Sequence, residues 1–66
     1  MKNSLPERRD EAALSQADLA EAAGVSRQTI NAIERERYDP SLELAFQLAS
    51  FFDCRVEDLF SPELEG

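Results

Sequence analysis

Apolar residues recur along this chain at three- and four-residue intervals rather than at alternate positions, a pattern that predicts helices and no convincing strand. The first helix is announced by Ser4-Leu5-Pro6-Glu7. Ser4 offers a cap, Pro6 sits in the first turn where no helical hydrogen bond is lost, and Glu7 completes a capping box. That helix should end near Ala12 or Ala13. Ser15 opens a second helix over residues 16–23, with Asp18 three positions after the cap and Leu19, Ala20 and Ala23 on one face. Gly24-Val25-Ser26 stops it, since glycine tolerates the left-handed conformation at a helix end and Ser26 is a natural cap for the next helix.

The third helix runs from Arg27 to about Arg35, with Ile30 and Ile33 inward and Arg27, Gln28, Asn31 and Arg35 toward solvent. Tyr38-Asp39-Pro40 forces an extended link, because a residue before proline is pushed out of the helical region. Ser41 then caps a fourth helix from Leu42 to Phe52, whose expected inward stripe is Leu42, Ala45, Leu48, Ala49 and Phe52. A last turn or two carries Val56, Leu59 and Phe60. From about residue 61 the chain reads as an acidic tail, frayed over Pro62 to Gly66.

Sixty-six residues leave room for one small domain over residues 1–66. A core of that size seldom contributes more than about 3 to 5 kcal/mol, so economical helix packing or a partner subunit is required. The single cysteine, Cys54, excludes an internal disulfide. It reads as a small apolar residue flanking the fourth helix, with an intersubunit disulfide or a redox sensor as the alternative. Met1 to Ala12 lacks the apolar run of a signal peptide, and no stretch approaches the roughly 20 apolar residues that span a bilayer. The expectation is a soluble protein of the cytoplasm with no membrane association.

The net charge of -7 is unevenly spread. Arg27, Arg35 and Arg37 against Glu34 and Glu36 make residues 26–38 the one net basic segment, whereas residues 39–66 carry -6 of the net charge. Six of the seven basic residues are arginine. This fits an ordinary solvated acidic surface or, more sharply, adaptation to a high-salt, halophile-like cytoplasm. Phe46, Phe51, Phe52 and Phe60 exceed what one helix face buries in so small a core, which predicts at least one of them at a dimer interface. With no histidine, no metal-ligand cluster, no nucleophile beside a base and no phosphate loop, the chain is expected to be no enzyme and to need no cofactor or metal.

Residues 15–35 have the spacing of a helix-turn-helix unit. Small Ala20 lets the two helices approach, Gly24 turns the chain, and Val25, Ile30 and Ile33 fix the third helix to the core, leaving its other face free to enter a groove. Three stretches then carry a resemblance: residues 14–20 (LSQADLA), 24–34 (GVSRQTINAIE) and 38–45 (YDPSLELA). The chain resembles the Cro/C1-type (Xre) helix-turn-helix transcriptional regulators, in their short stand-alone form, over residues 2 to 60. The resemblance implies a compact, all-α, five-helix, lambda-repressor-like domain that binds a palindromic operator in double-stranded DNA as a homodimer, in a prokaryotic, nucleoid-associated setting.

By position, Gln16 resembles the family's glutamine that holds a backbone phosphate, and Ser26 and Thr29 resemble residues touching phosphates or base edges. Arg27 and Gln28 fall where the family reads bases, chemistry that suits guanine and adenine respectively. Asn31 is the next residue on that face. Arg35 and Arg37 match the phosphate clamp, which positions without reading sequence. Arg9 and Glu34 match a structural ion pair between the first and third helices. Arg8 stands where relatives usually have leucine, and Ala13 and Glu36 replace common glycines. The Glu36 carboxylate, beside the phosphate clamps, is expected to repel the backbone it faces. A second reading is an antitoxin-like or other protein-binding module that holds a basic partner through its acidic surface, with Glu43 and Glu57 as test positions.

Overall fold

The computed structural model describes residues 1–61. The order is β1 (Lys2–Asn3), α1 (Leu5–Glu11), α2 (Gln16–Ala23), α3 (Arg27–Glu34), α4 (Leu42–Phe51), α5 (Val56–Leu59) and β2 (Phe60–Ser61). The five expected helices are present, and the expected acidic segment from Pro62 to Gly66 lies outside the described residues. Ser61 itself is paired in β2, so it does not belong to that tail.

Three local readings need correction. Strands exist: β1 and β2 pair antiparallel, with Lys2 opposite Ser61 and Asn3 opposite Phe60. Two residues per strand carry no alternation to detect, and the pairing arises only when packing brings the two chain segments together. Ser4 does not cap α1. Its backbone is not extended (φ -105°, ψ 19°) and its side chain makes no cap bond. Ser4 is instead drawn into the strand clasp, where its N–H donates to the Leu59 carbonyl (2.9 Å) and its hydroxyl to the Asp58 carbonyl (3.2 Å). Asn3 Oδ1 accepts the Leu5 N–H at 3.1 Å in its place. In α4 the buried stripe is Leu44, Ala45, Leu48 and Ala49, while Leu42 is 70% exposed and Phe52 is only partly covered. A helix that is apolar almost all round does not announce which face turns inward.

The other caps follow the sequence. Ser15 accepts the Asp18 N–H (3.0 Å) while Asp18 accepts the Ser15 N–H (3.0 Å), and Ser26 and Ser41 cap α3 and α4 through Thr29 and Leu44. The core gathers Leu5, Leu19, Ile30, Ile33, Leu48 and Leu59, with Val25, Cys54 and Val56 packed against it.

One ending recurs at four helices. A residue with positive φ is followed by an N–H that reaches back five residues: Ala13 (57°) with Leu14 to Arg9, Gly24 (72°) with Val25 to Ala20, Glu36 (61°) with Arg37 to Ala32, and Asp53 (54°) with Cys54 to Ala49. The left-handed backbone satisfies carbonyls that a helix end otherwise leaves open. Only one of the four residues is glycine, the residue that adopts this conformation without a Cβ penalty.

Candidate nucleic-acid interface

α2 and α3 pack directly on each other, joined by the Gly24 turn, and α3 presents Ile30 and Ile33 wholly to the core. The remaining face of α3 is therefore directed outward by its own periodicity. Ser26, Arg27 and Gln28 at its start are exposed, Thr29 and Asn31 are half-buried, and Arg35 and Arg37 just beyond its end are exposed. The Ser26 and Thr29 hydroxyls are 3.0 Å apart, which ties the first turn together. The positive end of the α3 dipole adds to the arginine charge there.

Behind this face lies a polar cluster that joins three helices. Arg9 of α1 donates from Nε to Glu34 Oε2 (2.9 Å) and from Nη2 to Glu34 Oε1 (3.3 Å), and its Nη1 donates to the Leu14 carbonyl (2.9 Å). The Glu34 side chain is 6% exposed and that of Arg9 17%, so the fork is largely withdrawn from water. The hydrogen bond to Glu34 strengthens Arg9's hold on its proton. Gln16 donates from Nε2 to Glu34 Oε1 at 3.0 Å, and its Oε1 faces Asn31 Nδ2 at 3.5 Å. This coupling of Gln16 to Glu34 is not visible from the sequence, because it depends on α2 lying across the end of α3.

With Glu34 neutralised by Arg9, the exposed charge around α3 is Arg27, Arg35 and Arg37 against Glu36, a more basic surface than the segment's formal +1. The Arg8 guanidinium, half-buried, adds to the positive field at Asp58, and its Nε has no hydrogen-bond partner among the described residues. Those residues contain no group of three or more His, Cys, Asp or Glu placed to hold a metal ion, and no helix long and apolar enough to cross a membrane.

On α4 a second surface comes together. Leu42 (70% exposed) and Phe46 (59% exposed) stand out from the helix, and beside them runs a groove of about 630 Å³ floored by Ala45, Val56 and Phe60. Phe51 is also exposed and meets Phe52 edge to face at 5.0 Å. Of the four phenylalanines, Phe60 is buried and Phe52 half-buried.

A helix-turn-helix family model matches residues 7–59. An uncharacterised HTH-type transcriptional regulator of Methanocaldococcus jannaschii is 57% identical over 63 residues, which covers 96% of each chain. The HTH-type transcriptional regulator YgzD of Bacillus subtilis is 45% identical across the whole length of both. Among solved structures, the restriction-modification controller protein C.AhdI from Aeromonas hydrophila superposes with a TM-score of 0.77 at 34% identity, covering 85% of each chain.

Proposed function

This chain belongs to the Cro/C1-type helix-turn-helix family, and we propose that it is a sequence-specific regulator that acts by occupying double-stranded DNA in the prokaryotic cytoplasm. The family is one of DNA-binding regulators, not enzymes. The observation that carries the reading is the outward face of α3, where Arg27 and Gln28 stand exposed on a helix held to the core by Ile30 and Ile33. In this reading α3 lies in the major groove. Arg27 donates twice to a guanine, Gln28 pairs with an adenine, and Asn31 reads the next position. Gln16, Arg35 and Arg37 hold the flanking phosphates, and Ser26 and Thr29 touch phosphates or base edges.

The active unit is a homodimer on a two-fold symmetric site with half-sites roughly 34 Å apart, about one helical turn. The α4 surface favours a second copy as its occupant, because a protruding Phe46 and an adjoining apolar groove on one patch are the knob and hole that a two-fold contact needs from identical surfaces.

Selection of random duplex DNA by the purified protein, at 0.1 M and at molar salt, tests the proposal with Gln28→Ala as control. The expected outcome is a palindromic site for the parent chain that the variant fails to enrich. The acidic surface should keep non-specific binding weak and the dependence on salt shallow, below the slope of eight phosphate contacts. No enrichment at either salt would shift the function to protein binding, with the helix-turn-helix as scaffold.

A further inference from the structure

The cluster behind α3 has a direction. Glu34 is an acceptor only, so the Gln16 carboxamide must turn its Nε2 toward Oε1 of that carboxylate, and the observed 3.0 Å contact has this sense. The Gln16 carbonyl oxygen is thereby aimed the other way, at Asn31. An oxygen there accepts Asn31 Nδ2, at the long end of hydrogen bonding (3.5 Å), and repels Asn31 Oδ1. Arg9, engaging both oxygens of Glu34, holds the carboxylate in place, which anchors the relay at its far end.

We propose that Glu34 is a positioning residue for base reading: through the Gln16 carboxamide it sets which way round the Asn31 carboxamide faces the groove. With one Nδ2 hydrogen committed to Gln16, Asn31 keeps an acceptor and a donor outward. That pair matches the amino group and N7 of adenine. The flipped amide would bring two carbonyl oxygens together and is disfavoured before DNA arrives. The inference rests on the proposed major-groove docking of α3, and it separates Gln16 from a residue that merely grips a phosphate.

The test is a comparison of base preferences, position by position, by duplex selection with the parent chain, Asn31→Ala, Gln16→Met and Glu34→Gln, each checked for folding by circular dichroism. Asn31→Ala identifies the base it reads by erasing one symmetric pair of preferences. Gln16→Met and Glu34→Gln should then each lower discrimination at that same position from roughly tenfold or more to a few-fold. Preferences assigned to Arg27 and Gln28 should persist. If Gln16→Met weakens all sequences equally and leaves the Asn31 preference intact, the relay is overturned and only a phosphate contact is left. If Asn31→Ala alters no position, there is nothing for Glu34 to orient and the relay fails, while the Gln28→Ala control still decides whether α3 reads DNA at all. Should Glu34→Gln not fold, Gln16→Met alone decides the outcome.

Discussion

Arg9 and Glu34, 25 residues apart in sequence, meet through two hydrogen bonds of 2.9 and 3.3 Å in a pocket where the carboxylate is almost wholly withdrawn from water. A fork of this kind fixes the angle between α1 and α3 more tightly than apolar contact does, because both ends of the pair are directional.

Removing one partner strands the other. Arg9→Met should lower stability by about 2 kcal/mol, the range measured for hydrogen bonds to charged groups. The double variant Arg9→Met/Glu34→Met should lose less than the sum of the two single changes, since neither charge is then left unpaired. Urea unfolding of the four proteins checks this; additive losses would show the pair to be uncoupled.

The left-handed helix ends make opposite predictions for two similar residues. Ala13→Gly should raise stability by about 1 kcal/mol, and Gly24→Ala should lower it by about the same amount. A Cβ built on Gly24 meets nothing within 4 Å, so its effect is that of the backbone alone. Thermal unfolding of both variants measures it, and a stabilised Gly24→Ala would contradict the assigned conformation.

Two exposed carboxylates sit below their ordinary range. Asp18 is lowered by the Ser15 backbone N–H and then by the Ser15 side chain, and Asp58 by the Arg55 side chain and then the Arg55 backbone N–H. The unfolded chain therefore binds protons more readily at these sites. Their contribution is complete above the unfolded value of about 3.9 and is lost as the pH falls through the lower folded value. Between pH 5 and pH 2 the urea midpoint should drop, and Asp18→Asn should start lower at pH 7 but fall less over the acid range.

The proposed pairing of two copies through α4 turns on the exposed Phe46. Phe46→Glu should give a monomer by sedimentation equilibrium with its melting temperature little changed, because the side chain is already largely in solvent. Affinity for a palindromic site should fall at least tenfold while the preferred half-site stays the same. A variant that remains dimeric would move the interface elsewhere, toward Phe51.

Much of this architecture is legible in the residues. Ser15 with Asp18, Gly24 with Ser26, and Pro40 with Ser41 are local signals, and each works over four residues or fewer. The left-handed ends at Ala13 and Glu36 are marked only through the family resemblance, which puts glycines at those positions. What stays hidden depends on distance or on phase. The β1–β2 clasp joins residues nearly 60 positions apart. The choice of Leu44 over Leu42 is made by tertiary packing on a helix with apolar residues all round. Asp53 enters the left-handed region with no sequence mark at all. At the candidate site, Arg27 and Gln28 are exposed where periodicity puts them, but the engagement of Gln16 by Glu34 needs α2 laid across the end of α3 before it exists.

The two-residue clasp has a consequence for how the molecule comes apart. Its helices are made of neighbours and could each form early, yet Lys2 opposite Ser61 and Ser4 against Leu59 close a loop over almost the entire chain. The entropy of that closure is recovered only once the other elements stand. Neither strand can then peel away alone, because the bonds that hold β1 are the bonds that hold β2. The amide of Ser4, near one end of the sequence, is thereby tied to the opening of the whole ring rather than to the fraying expected of a terminus.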